Sequence, residues 1–299
     1  MQQLPRLSIG DKVELIAPAS RCSDKELADL QELLNSWGLE CVVAPDIFGD
    51  DLLCANNDAN RFEHLKNALQ NKETKAVICA RGGYGCMRLI PQLSSLGKPK
   101  ELKMFVGMSD VTALQLFMNQ EWGWPVLHAA LWPGKFSPES TEAVKSFLFG
   151  AKPEVQFNGV PLNKEARKAG LIKAPITGGN LRMIQSGIGT NWQLNAKGKM
   201  VFLEETGERG FRIDRMFEQL KQANILAGAK AIILGDFING NEPNGTSLIQ
   251  PVLIRFAEQL EIPVVQINGI GHDFTNMPLP LGTQASLQLG NSIQLNLPR

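Results

Sequence analysis

The sequence lacks the features that mark several large classes of protein. No apolar run approaches the ~20 residues that a membrane-spanning helix requires. The opening stretch, MQQLPRLSIGDKVELIAPAS, has no charged start, apolar segment or small-residue cleavage site of a secretion signal, so a cytoplasmic location is expected. Neither sign of charge is in excess. Lysine plus arginine number 30 and aspartate plus glutamate also number 30, which gives no electrostatic reason to expect nucleic acid or a membrane as partner. There is no C-x-x-C pair. The five cysteines, Cys22, Cys41, Cys54, Cys79 and Cys86, are odd in number and confined to the first third, which reads as reduced thiols in a reducing compartment. Cys79 and Cys86 flank a glycine-rich turn and are either nucleophiles or, more commonly for free cysteine, small buried hydrophobes. Histidine is scarce, three in 299 residues. No His or Cys ligands have the close spacing that zinc needs, as in H-E-x-x-H, so no zinc site and no cofactor are expected, while the spacing of the many Asp and Glu leaves a magnesium site open.

What is present is a large core and a regular alternation of elements. Hydrophobic residues make up 43% of the chain and charged residues 20%, as in a globular protein of one large or two ordinary domains. In the first 130 residues, apolar runs at 12–19, 39–44, 75–80, 103–108 and 125–130 alternate with amphipathic stretches, and Ser23 to Glu26 has capping-box spacing. Strands alternating with helices predict a parallel sheet covered on both faces, with sites beyond the carboxyl ends of its strands. From about 132 to 175 the pattern gives way to Pro, Gly, Ser and charge, with a helix around 139–149. Further strands are predicted at 200–205, 229–237 and 263–267, then two short alternating stretches at the end. The expected organisation is therefore an N-terminal α/β domain over 1–131, a linker region over 132–164, and a C-terminal domain over 165–299.

Three breaks directly follow predicted strands. The first is Arg81-Gly82-Gly83-Tyr84-Gly85, where consecutive glycines let backbone N–H groups approach a ligand closely. It serves as half of an oxyanion hole, as a phosphate cradle, or merely as a tight turn; it has neither P-loop nor dinucleotide spacing. Arg81 beside it suits a carboxylate. The second is Gly107-Met108-Ser109-Asp110-Val111-Thr112, where a strand runs into a serine and a helix leaves. That is the setting of a nucleophile elbow, with the amide of Asp110 placed for an oxyanion, although Ser109 or Asp110 as a plain helix cap fits the same residues. The third is Gly269-Ile270-Gly271-His272-Asp273. His272 is the best-placed general base; His64 reads as a solvated helix residue and His128 as either a site residue or a satisfied core histidine. A serine–histidine pair needs an acid, and Glu204 and Glu205 end the strand 200–205. Alternation sends them to opposite faces, so one of them serves.

Together with Gly178-Gly179-Asn180-Leu181, Phe202-Leu203-Glu204-Glu205, Arg212-Ile213-Asp214-Arg215-Met216 and Leu279-Pro280-Leu281-Gly282, these segments resemble, in order, the LD-carboxypeptidases, or muramoyltetrapeptide carboxypeptidases. The resemblance spans about residues 12 to 285. It implies an N-terminal parallel-sheet α/β domain plus a smaller β-rich C-terminal domain, metal-independent hydrolysis, and a homodimer. The implied substrate is a muropeptide, a tetrapeptide cut between an L-centre diamino acid and its terminal D-Ala. Residue by residue it implies Ser109 as nucleophile, Glu204 as acid, His272 as base, and the amides of Asp110 and Gly83 as oxyanion donors. The family usually has Glu-Asp where this chain has Glu204-Glu205. Arg81 and then Arg182 are the candidates for holding the terminal carboxylate. Self-immunity peptidases that inactivate peptide–nucleotide antibiotics share the resemblance and would stack a base on Trp122, Trp124 or Trp132. A non-catalytic binding protein of the same fold is the third reading. The nucleophile falls in one predicted domain and its base and acid in the other, across an interface of the kind that is often modest and mobile.

Overall fold

The computed structural model describes residues 3–151 and 154–298. Its first half places β1 (Lys12–Ile16), α1 (Asp24–Ser36), β2 (Glu40–Val43), α2 (Asp58–Gln70), β3 (Thr74–Cys79), α3 (Ile90–Leu96), β4 (Met104–Gly107), α4 (Thr112–Glu121), β5 (Val126–His128) and α5 (Pro138–Phe149) in order. The capping box forms at the start of α1, with Ser23 and Glu26 exchanging side-chain and backbone hydrogen bonds. Strands β2, β1, β3, β4 and β5 pair in parallel. Their residues alternate between two cores. Val13, Leu15, Ala76, Ile78, Met104 and Val106 face one, while Ile16, Val77, Cys79 and Phe105 face the other.

The second half runs β6 (Glu154–Pro161), α6 (Lys164–Arg167), β7 (Gly170–Asn180), α7 (Leu181–Ser186), β8 (Met200–Thr206), α8 (Gly210–Gln222), β9 (Ala231–Ile238), α9 (Ile249–Glu258), β10 (Val264–Gln266), β11 (Leu279–Leu281), β12 (Gln284–Leu289) and β13 (Ile293–Pro298). All but β11 close into a barrel in the order β10-β6-β13-β12-β7-β8-β9. Strands β7 to β10 are parallel along one side, and the remaining pairings are antiparallel. The expected class, a parallel-sheet α/β unit with a β-rich second unit, is the observed one.

The stretch 132–164 is not a bare linker. α5 packs Val144, Phe147 and Leu148 into the first sheet's core beside Leu4 and Leu7, and β6 is a full barrel strand between β13 and β10. Strand β7 also begins inside the stretch read as irregular. Gly, Pro and Lys interrupt the apolar alternation there, so the pairing partners, not the local sequence, make these segments strands.

β11 leaves the second unit and adds antiparallel to β5, at the edge of the first sheet. The chain between β10 and β11 therefore crosses from one sheet to the other. One apolar core runs through both units, from Leu65 and Phe117 to Phe202 and Leu234. The loosely coupled interface expected between domains is thus replaced by a shared core and a shared sheet.

In the first unit the buried Arg61 acts as a staple. Its Nε donates to the carbonyl of Asn56 (3.0 Å), its Nη1 to those of Gly85 (3.1 Å) and Pro18, and its Nη2 to Asp58 (2.5 Å). This joins the exit of β1 to the glycine loop after β3. Arg61→Met would leave three carbonyls without that donor, and urea unfolding should show a loss of about 3–5 kcal/mol; a loss below about 1 kcal/mol, as for surface pairs, would show the staple to be dispensable.

Candidate active site

Both units aim the carboxyl ends of parallel strands at one cavity of about 190 Å³. The loop after β3 contributes Arg81, Gly82 and Gly83. The turn after β4 contributes Ser109, and the loop after β5 contributes Trp132, Lys135 and Phe136. Thr206 ends β8, and His272 lies on the crossing between β10 and β11. A larger cavity of about 430 Å³ lies near Gln70, Lys98 and Lys103 and contains none of these groups. There the Lys103 ammonium is spent on the carbonyls of Ala68 and Asn71.

Ser109 adopts φ 64°, a left-handed conformation rare for a residue with a side chain and costing roughly 1–3 kcal/mol. It starts the short 3₁₀ turn Ser109–Val111 that leads into α4. Gly82 abuts it so closely that a Cβ at position 82 would lie 2.8 Å from the Ser109 Cβ. Gly83 has φ 114°, and a Cβ there would meet the Ser20 hydroxyl at 2.5 Å. The carboxylate of Asp110 accepts from the backbone N–H of Cys86 at 2.7 Å. It ties the glycine loop to the serine turn, while the role foreseen for Asp110 concerns its amide.

His272 Nδ1 lies 2.7 Å from Oε2 of Glu204. Glu204 has no solvent exposure and His272 keeps 11%. Burial works against charge on both. The carboxylate outweighs this at His272 and holds the imidazole's pKa above 6.5, while His272, with help from Asn180, holds Glu204 below its usual range. An ionised carboxylate only accepts, so Nδ1 carries the proton and Nε2 is the other ring nitrogen. Glu205 takes no part in this contact. Its oxygens accept from the backbone N–H groups of Arg182 (2.8 Å) and Thr206 (2.9 Å), and burial together with the Glu204 charge pushes it up to about 7.

Arg81 lies at the cavity wall, with its guanidinium 5.1 Å from the Trp132 ring and donating to the carbonyl of Arg21. Arg182 does not reach the cavity. Glu208 takes its guanidinium at 2.6 Å, so in this structure Arg182 is not among the groups that line the cavity. His64 is not solvated, since Asp46 pairs with it at 3.0 Å and 11% of the side chain is exposed. Trp122 and Trp124 pack edge-on against each other in the core. The cysteine thiols at 79 and 86 are buried and pushed far up by burial, which removes them as nucleophiles.

The sequence reading missed two residues. Lys135 lies 4.2 Å from the Trp132 ring, and nothing in the irregular stretch around it marked it out. Asp236 lies near the end of β9, accepts from the Gly269 N–H at 3.0 Å, and is pushed up to about 6, mainly by burial. It is an acid close to the end of a buried strand, much the signal that drew attention to Glu204. Among the described residues no group of three His, Cys, Asp or Glu side chains is gathered for a metal, and no helix is long and apolar enough to cross a membrane.

Two family matches cover most of the chain: the LD-carboxypeptidase N-terminal domain over residues 13–129 and the LD-carboxypeptidase C-terminal domain over residues 173–287. A putative carboxypeptidase of Rickettsia conorii is 39% identical over 92% of this chain and 87% of its own length. A murein tetrapeptide carboxypeptidase of Pseudomonas aeruginosa is 27% identical over 96% of this chain and 95% of its own. Among solved structures, the muramoyltetrapeptide carboxypeptidase of Oxalobacter formigenes superposes with a TM-score of 0.82 at 27% identity, covering 96% of this chain and 99% of that one. MccF in complex with glutamyl sulfamoyl guanosine shares the fold, with a TM-score of 0.83 at 18% identity over 99% of this chain and 98% of that one.

The ion pair gives a direct measurement. In an NMR titration the His272 imidazole should have a pKa above 6.5, because the folded state favours its charged form. Its contribution to stability should be complete at pH below the unfolded value and fade as pH rises through the folded one. Glu204→Gln should lower the His272 pKa; an unchanged value would mean that the contact carries no charge.

Proposed function

The chain belongs to the LD-carboxypeptidase family, and we propose that it is a serine carboxypeptidase that cuts peptidoglycan tetrapeptides between an L-centre diamino acid and the terminal D-alanine. The observation that carries this reading is His272, backed by the buried Glu204 at 2.7 Å and lining the same cavity as a serine held at positive φ.

In this mechanism Nε2 of His272 takes the Ser109 proton as Oγ attacks the scissile carbonyl, then gives it to the nitrogen of the leaving D-alanine. Water repeats the cycle on the acyl-enzyme. Glu204 keeps the imidazole in the right tautomer and stabilises its charged form. The amides of Asp110 and Gly83 receive the oxyanion; such donors are each worth roughly 3–4 kcal/mol. Arg81, with Lys135 beside it on Trp132, holds the substrate's terminal carboxylate, the group an exopeptidase must recognise. Homodimeric assembly and a cytoplasmic location belong to the same proposal.

The self-immunity reading has less support. Trp122 and Trp124 are in the core, and Trp132, which does line the cavity, already carries two cations against its ring. A non-catalytic role would leave the strain at Ser109 and the buried ion pair without use.

The purified protein should release D-alanine from muropeptide tetrapeptides and spare pentapeptides, with excess chelator having no effect. Equal rates on both, or chelator inhibition reversed by zinc, would refute the proposal. Ser109→Ala and His272→Ala should each lower kcat by about 10⁴-fold or more, and the double variant should lose little beyond either, because such groups act as a unit. Arg81→Ala should raise KM with little change in kcat; an unchanged KM removes Arg81 from the carboxylate role.

A further inference from the structure

His128 has no part in the mechanism above, yet its surroundings are not those of a packing histidine. It ends β5, is fully buried, and neither ring nitrogen has a hydrogen-bond partner among the described residues. Its ring meets Phe202 edge-on, with centroids 5.5 Å apart. Phe202 and Glu204 are two residues apart on β8, so their side chains leave the same face and Glu204 is the next group along. There Oε2 is engaged by His272 and Asn180 lies close by, while Oε1 is buried and accepts no hydrogen bond of ordinary length among the described residues. A neutral imidazole offers one N–H and an ionised carboxylate only accepts, so the two orphaned groups are complementary. Buried polar groups left unpaired are uncommon and costly.

The charged groups facing His128 are Glu204 on β8 and His272 on the β10–β11 crossing. Burial first, and His272 in addition, lower its pKa to about 4 against the pull of Glu204, which keeps the ring neutral. In the first sheet His128 pairs with Gly107, two residues before Ser109, and with Leu279 of β11. It therefore lies on the sheet that carries the serine, with Phe202 of the barrel strand that carries the acid against its ring.

We propose that His128 donates its N–H to Oε1 of Glu204 across one bridging water, and is the positioning residue that fixes this carboxylate against His272. This deepens, and rests on, the reading of the site as a Ser–His–Glu peptidase.

His128→Phe keeps a ring against Phe202 but has no N–H, whereas His128→Asn keeps a donor. D-alanine release and the rate of Ser109 modification by a serine-directed phosphonate would be followed across pH for both. In His128→Phe, kcat should fall about 10- to 100-fold with KM little changed. The acid limb of kcat/KM should move to higher pH, because a carboxylate that has lost a donor holds the His272 imidazolium more strongly. His128→Asn should keep most of the activity and the wild-type limb. Wild-type kinetics in His128→Phe would overturn the proposal, as would equal losses in both variants with an unmoved limb. Should His128→Phe fail to fold, ¹⁵N-histidine NMR of the wild-type protein decides. A single neutral tautomer with a slowly exchanging N–H is expected from about pH 5 to 8, and titration in that range or rapid exchange would refute the assignment. The NMR measurement needs no turnover. Absence of D-alanine release by the wild-type protein would thus count against the proposed reaction, while the state of His128 is still measured.

Discussion

A carboxylate with no exposure to solvent is unfavourable as an ion unless neighbouring groups replace the water it has lost. Glu204 is such a group, and the rest of the site is arranged around meeting its demand. His272 supplies the hydrogen bond and the countercharge at one oxygen. Asn180 lies close enough to favour its charged form. Glu205, the next residue, cannot help. It faces away, and its own charge is suppressed partly because Glu204 is ionised. Two adjacent acids thereby acquire opposite characters from their surroundings, one held ionised and one pushed toward neutrality.

That demand explains the path of the backbone. His272 can reach Glu204 because the chain from β10 to β11 leaves the barrel and joins the first sheet beside β5. The crossing is fastened on the way: the Asn276 N–H donates to the Ser140 hydroxyl, and the Ser137 N–H donates to the carbonyl of Phe274. On the barrel side, Gly179 comes so close to Thr112 that a Cβ would lie 2.6 Å from its hydroxyl, and the next N–H, that of Asn180, donates to that hydroxyl at 3.1 Å. The end of β7 is thus fixed to the helix that follows Ser109. Serine and histidine come from different units, but the units share a sheet, a core and these bonds, so the relative placement of the two residues is part of the fold.

Much of this was legible in the order of residues. The strand–helix alternation gave the parallel sheet, Ser109 and the glycine loop fell directly after strands, and with three histidines to weigh, His272 stood out by its glycine neighbours and its strand. Period-two alternation required Glu204 and Glu205 to separate. Illegible were the segments whose structure depends on distant partners. β6 and β7 lie where glycine, proline and lysine hide the apolar alternation, and they are strands because β13, β12 and β8 pair with them. Arg182 looked available because Glu208, its partner, is far along the chain. Lys135 looked like one more charge in a loop until Trp132 and Arg81 came together beside it.

The sequence by itself determined the family, the class of fold and the chemical types at the site, because these depend on short patterns: hydrophobic period, capping residues, glycines at turns, and a few titratable residues at strand ends. The tertiary structure decided which acid faces the histidine, which cations line the cavity, and that His128 is buried beside the site with no hydrogen-bond partner among the described residues. Each of these is a matter of distance between residues remote in sequence, and electrostatic and hydrogen-bond energies depend on that distance and on burial, neither of which a linear pattern contains.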